Sequence, residues 1–198
     1  MGQYTLRSIQ PSDFARHQML TIMAGFVDNA PPPARQRAID GLVNLHGIDL
    51  KTTNTLCYDP TLTTVPGRNR KGDIRIGPGA FNEDTSWLAN VVFHEVIHSD
   101  QFAYYAANGV QFDSSAAKSE TERIMVALDE CEGFYWPCRN SNALGLSAKQ
   151  QASLAREVSL YLIDVGDAPL VALARKGQFE QARLALIKRW TAENKGKP

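Results

Sequence analysis

Two histidines and a glutamate fall within five residues, His94-Glu95-Val96-Ile97-His98. Residues four apart on a helix share a side, so two imidazoles at this spacing can grip one zinc ion. Glu95, beside the first histidine, is then near enough to take a proton from a water on that ion. His94 and His98 are therefore candidate metal ligands, and Glu95 is a candidate catalytic base. The neighbours Val91, Val92, Phe93, Val96 and Ile97 are apolar and imply a buried helix. Polar groups in such a place are costly unless something satisfies them, and Zn2+ would do so.

A catalytic zinc takes a third protein ligand and keeps one position open. No histidine follows His98, and the longer pattern with a glycine and a third histidine is broken by Gln101 and Tyr104. His17 and His46 precede the motif, and a lone histidine is more often structural than a ligand. The run Asp129-Glu130-Cys131-Glu132 offers carboxylates on the following helix. Glu130 and Glu132 stand about 200° apart on a helix, so they cannot both face the ion. Glu120 and Glu122 are further options at the start of that helix.

The elements that must carry these residues can be read from periodicity and punctuation. Apolar spacing predicts a helix over Ser12 to Val27, with Phe14, Met19, Ile22, Met23 and Phe26 on its inner face. Pro31-Pro32-Pro33 opens a second helix that Gly47 closes after His46. Thr52 to Tyr58 alternates loosely as a strand, Asp59 to Gly72 reads as turns, and Asp73 to Ile76 alternates as the best strand before Gly77-Pro78 stops it. Asn82 or Asp84 caps a long helix from Thr85 to Ala107 that holds the motif, ended by Asn108-Gly109. Ser119 to Trp136 is the next helix, with Pro137 expected to break it. Helices over Ser147 to Asp164, Ala168 to Lys176 and Phe179 to Ala192 follow, and Asn194 to Pro198 is expected to fray. The expected class is α+β: one mainly helical domain over residues 1–198, with a small sheet, a core over 50–140 and a helical part over 147–193.

The strand Ile74-Arg75-Ile76, His94-Glu95-x-x-His98 with Gln101 after it, and Glu130-x-Glu132-Gly133-Phe134 together resemble the zincin metallopeptidases of the gluzincin-like type. The likeness covers roughly residues 73 to 136. Several such enzymes carry Glu-x-x-Ala on the helix after the active-site helix. By that likeness Glu130 is the third ligand, with Gly133 in place of the small alanine. The resemblance also implies a zincin-like fold and an extended protein or peptide substrate gripped along an edge strand, matched here to Asp73 to Gly77. More loosely, the chain is similar to small bacterial effector and toxin metallopeptidase domains.

The expected function is hydrolysis of a peptide bond by a zinc endopeptidase. Glu95 would deprotonate the water and return the proton to the leaving amine. Tyr104, Tyr105, Tyr135, His17, His46 and nearby arginines are candidate donors to the oxyanion. Asp100, Asp129 and Asp164 are candidates for orienting the histidines. Two rivals remain: a zinc-containing peptide- or protein-binding module without proteolytic activity, and a helical interaction protein without metal. Glu95 argues against the first, since a purely structural zinc needs no base beside it.

Basic and acidic residues balance at 21 each, which gives no sign of a nucleic-acid or anionic-membrane partner. No apolar run approaches the roughly 20 residues of a membrane span. The start Met1 to Leu6 lacks the charged and apolar blocks of a secretory signal, and Leu6 breaks a myristoylation pattern at Gly2. The expected location is cytoplasmic, or secreted by a signal-peptide-independent system. A free-standing protease would also need restraint, such as an inhibitor or immunity-type partner. Cys57, Cys131 and Cys138 are read as reduced thiols, although a Cys131–Cys138 bridge is conceivable.

Overall fold

The computed structural model describes residue 6, residues 16–111 and residues 116–195. Ser12 to Ala15 of the first expected helix, the side chain of His17, Gly2 and the last three residues of the tail lie outside the described residues. The architecture is mainly helical with one small sheet, an α+β fold.

Helix α1 (Arg16–Ala24) lies against α2 (Pro32–His46) at a close crossing. A β-carbon on Gly25 would stand 2.6 Å from Ala38 Cβ, so only glycine allows this approach. Ile22 is buried in the crossing, whereas Met23, expected on the inner face, is 48% exposed. Gly47 closes α2 in the left-handed region, at φ 62°, where it costs no side-chain strain.

Strands β1 (Thr55–Tyr58), β2 (Gly67–Arg70) and β3 (Asp73–Ile76) form a sheet in the order β1-β3-β2. β1 runs parallel to β3, pairing Thr55 with Asp73 and Tyr58 with Ile76. β2 runs antiparallel to β3, pairing Gly67 with Ile76 and Arg70 with Asp73. The turn between them is Lys71-Gly72, both with positive φ, the geometry that matches a hairpin's twist. β2 falls inside the stretch expected to be turns. Its residues Gly-Arg-Asn-Arg carry no apolar alternation, so periodicity could not reveal it.

Helix α3 (Thr85–Ala107) is capped by Asp84, whose carboxylate accepts the Trp87 N–H at 2.8 Å. Helix α4 (Glu120–Arg139) begins with a capping box between Ser119 and Glu122. It does not break at Pro137 but continues to Arg139. So near the C-terminal end, the missing proline N–H forfeits a single helical bond, whose acceptor would be Gly133. A short turn of helix, α5 (Ser141–Leu144), leads to α6 (Ala148–Val165), α7 (Ala168–Arg175) and α8 (Phe179–Asn194).

Two apolar clusters organise the interior. One joins α2, the sheet and α3 through Ile39, Leu42, Ile74, Ile76, Leu88 and Val92. The other joins α4 to the C-terminal helices through Met125, Leu128, Cys131, Phe179, Ala182 and Leu186, and takes Tyr105 from α3. α3 thus belongs to both, and its middle turns lie at the seam against α4. All three cysteines are free, which removes the conceivable Cys131–Cys138 bridge. Among the described residues no helix is long and apolar enough to cross a membrane.

Candidate metal centre

His94 and His98 stand one turn apart on α3, with ring centroids 4.7 Å apart and planes at 83°. Their Nε2 atoms point at each other across 3.0 Å. Glu130, reaching over from α4, places Oε2 3.5 Å from His94 Nε2 and Oε1 3.6 Å from His98 Nε2. A tetrahedral ion with bonds of 2.0–2.1 Å needs donor atoms about 3.3 Å apart, and these separations bracket that value. The three residues thus form a group that could hold a metal ion.

The supporting contacts fit the same reading. His98 Nδ1 is hydrogen-bonded to Gln101 Oε1 at 2.7 Å. An amide oxygen only accepts, so the imidazole carries its hydrogen on Nδ1 and leaves the Nε2 lone pair toward the donor set. His94 packs on Phe134, centroids 4.5 Å apart, and its Nδ1 is buried without a hydrogen-bond partner among the described residues. Its ring lies on Gly133: a β-carbon there would stand 2.7 Å from His94 Cε1 and 2.9 Å from Nδ1. Any larger residue at 133 would displace the ring, which gives a local reason for the glycine.

Charge follows from this packing. Burial works to raise the Glu130 carboxyl, but the hydrogen bond from His94 and the nearby imidazole charges outweigh it and hold the group at about 2. Burial works to lower His98, but the Glu130 and Glu95 carboxylates lead the contributions that raise it. Glu95 is only 7% exposed, and burial pushes its carboxyl up against the opposing pull of His94 and His98. A buried carboxylate with raised proton affinity is suited to accept a proton.

A cleft of about 440 Å³ opens over these side chains. Val65 to Asn69 form one wall, and Trp87, Val91, Phe102 and Phe134 supply apolar surface. The strand on this wall is β2, at the sheet edge. Of Asp73 to Gly77, expected to grip a substrate, Asp73 to Ile76 is instead the central strand β3, laddered on both sides and unable to accept another chain. β2 is tied to α3 by Asn69, whose Nδ2 donates to the Glu95 carbonyl at 2.6 Å and to Ser99 Oγ at 2.7 Å.

The other sequence candidates lie elsewhere. The Glu132 carboxylate accepts from Arg183 Nη2 at 2.5 Å, Gln101 Nε2 at 3.0 Å and Trp136 Nε1 at 3.2 Å, on the far side from Glu130. Glu122 is used in the helix cap and by the Trp190 indole, and Glu120 lies three turns from Glu130. Asp100 accepts the Thr52 hydroxyl, the Asp129 side chain binds Arg183 and the Tyr105 hydroxyl, and Asp164 stands on α6 and lines a separate cavity. The residue that orients His98 by a direct hydrogen bond is Gln101. Its position, three residues after His98, was the available signal. Tyr104, Tyr105, Tyr135 and His46 do not line the cleft, whereas Arg68 does. The chain matches no protein-family model, no curated protein and no solved structure.

Proposed function

We propose that this chain is a zinc-dependent endopeptidase, with His94, His98 and Glu130 as ligands and Glu95 as the base. The observation that carries the reading is the placement of Glu95. Its carboxyl shares one cleft with the three-residue donor set and lies against the backbone of an edge strand. A structural metal site has no use for a carboxylate held there.

A bound zinc ion would supply Lewis acidity, polarising a carbonyl and bringing the pKa of water to about 7. The remaining work belongs to the chain. β2 offers its open edge to an extended peptide, which it would hold by backbone hydrogen bonds. Trp87, Phe102 and Phe134 line the cleft with apolar surface for substrate side chains. Glu95 takes a proton from the attacking water and delivers it to the leaving amine nitrogen as the C–N bond breaks.

Glu95→Gln tests this directly. The variant should bind one zinc with wild-type affinity and lose cleavage by about 10²–10⁴-fold. Comparing new N-termini in cells expressing each form reads both activity and substrate. Cleavage unchanged in Glu95→Gln would remove the proposed base, and a wild type that takes up no zinc would remove the centre.

A further inference from the structure

Arg183, on α8, is wholly buried. Its Nη2 donates to Glu132 Oε2 at 2.5 Å and to Asp129 Oδ1 at 2.9 Å, and its Nε donates to Asp129 Oδ1 at 3.2 Å. The rings of Tyr104 and Tyr105 lie beside the guanidinium, 5.8 and 5.5 Å from its carbon. Arginine is the residue suited to such a site, because its planar fork reaches two carboxylates at once. Replacing buried ion pairs by apolar groups is often neutral or stabilising, so stability alone gives little reason for this one.

The arrangement has a consequence for the metal centre. Gln101 Nε2 donates both to Glu132 Oε2 and to the Asp129 carbonyl, each at 3.0 Å. Both protons of the amide are committed, so the amide cannot turn over without setting its oxygen against two acceptors. Its oxygen therefore faces His98 Nδ1, at 2.7 Å. The opposite orientation would donate to Nδ1, move the imidazole hydrogen to Nε2 and block the ligand atom.

We propose that Arg183 is a positioning residue of the metal centre, acting through Glu132 and Gln101 to fix the Gln101 amide oxygen on His98 Nδ1 and turn Nε2 toward the ion. The inference rests on the reading of His94, His98 and Glu130 as metal ligands. It makes α8 part of the centre, although Arg183 lies 51 residues from Glu132.

The test uses the full chain, with Arg183→Met and Glu132→Met introduced together. Arg183→Met alone would strand two buried carboxylates, Glu132 and Asp129, and could unfold the protein, whereas the paired exchange leaves only Asp129, which keeps the Tyr105 hydroxyl as a donor. Two quantities are read: the His98 ring-nitrogen NMR signals of the metal-free protein, and Zn2+ affinity by competition with a chromophoric chelator. Wild type should show hydrogen on Nδ1. The paired variant should show both tautomers and bind Zn2+ about tenfold more weakly, the scale of a lost outer-shell contact. Gln101→Leu should weaken binding to a similar degree, and adding it to the paired variant should cost little more, because the residues act in series. Unchanged tautomer and affinity in the paired variant, with wild type binding Zn2+, would overturn the role of Arg183 alone. Strictly additive losses would do the same, since Arg183 would then act other than through Gln101. A wild type without affinity for Zn2+ would overturn the ligand reading and this inference with it.

Discussion

Gly67 and Glu95 meet where the edge strand β2 passes α3. A β-carbon on Gly67 would stand 2.6 Å from Glu95 Oε1 and 2.9 Å from its Cγ. The glycine has ordinary backbone angles, so the need is for space and not for an unusual turn. Glu95 can therefore be moved without touching His94, His98 or Glu130.

Gly67→Ala should push the Glu95 carboxyl out of place while leaving His94, His98 and Glu130 as they are. A displacement near 1 Å of a catalytic group costs about 10²-fold. The expected result is a loss of that order in kcat/KM on a peptide substrate, with zinc content and thermal midpoint close to wild type. Full activity in Gly67→Ala would mean that the base does not work from the position it occupies here.

Gly133→Ala makes the complementary change. The new methyl group would overlap the His94 ring at Cε1 and Nδ1, and the ring would have to swing away from His98 and Glu130. Zn2+ affinity should fall at least about tenfold, with activity recovered at high zinc. Chelator competition on the purified variant measures it, and unchanged affinity would show that His94 is not held by this contact.

How much of this was legible in the residues depended on whether the determining contacts are local. The histidine pair was, because a helical period places both rings within one turn. Glu130 over Glu132 came from family resemblance, and the geometry that sets them apart is long-range: Glu132 turns toward Arg183 and Gln101. β2 was not legible because Asn69 fastens it to α3 by side-chain hydrogen bonds in place of an apolar face. Pro137 misled because a helix-breaking residue breaks little within the last turn. Arg183 belongs to no sequence motif, and only the fold shows it buried.

The two glutamates should separate in metal-free protein. Glu130→Ala removes a carboxylate that is 31% exposed and paired only with His94 and His98, and should cost less metal-free stability than Glu132→Ala, while Zn2+ binding is lost. Glu132→Ala leaves Arg183 buried with Asp129 as its one remaining carboxylate and should cost about 3 kcal/mol. Urea denaturation of the metal-free variants decides: equal stabilities would contradict the division between ligand and ion-pair partner.

His46 predicts how stability responds to acid, away from the metal centre. It is 2% exposed, its Nδ1 has no hydrogen-bond partner among the described residues, and burial lowers its pKa from 6.5 to about 4. Between those values the unfolded chain takes up a proton that the folded chain refuses. Stability from this group is therefore complete above pH 6.5 and falls as pH drops toward 4. A shift of this size corresponds to at most about 3 kcal/mol. His46→Leu removes both the titration and a buried polar atom without a partner. The stability difference between wild type and variant, followed by urea denaturation across that interval, should widen in favour of leucine as pH falls. A constant difference would show that His46 takes up its proton as readily in the folded protein as in the unfolded chain.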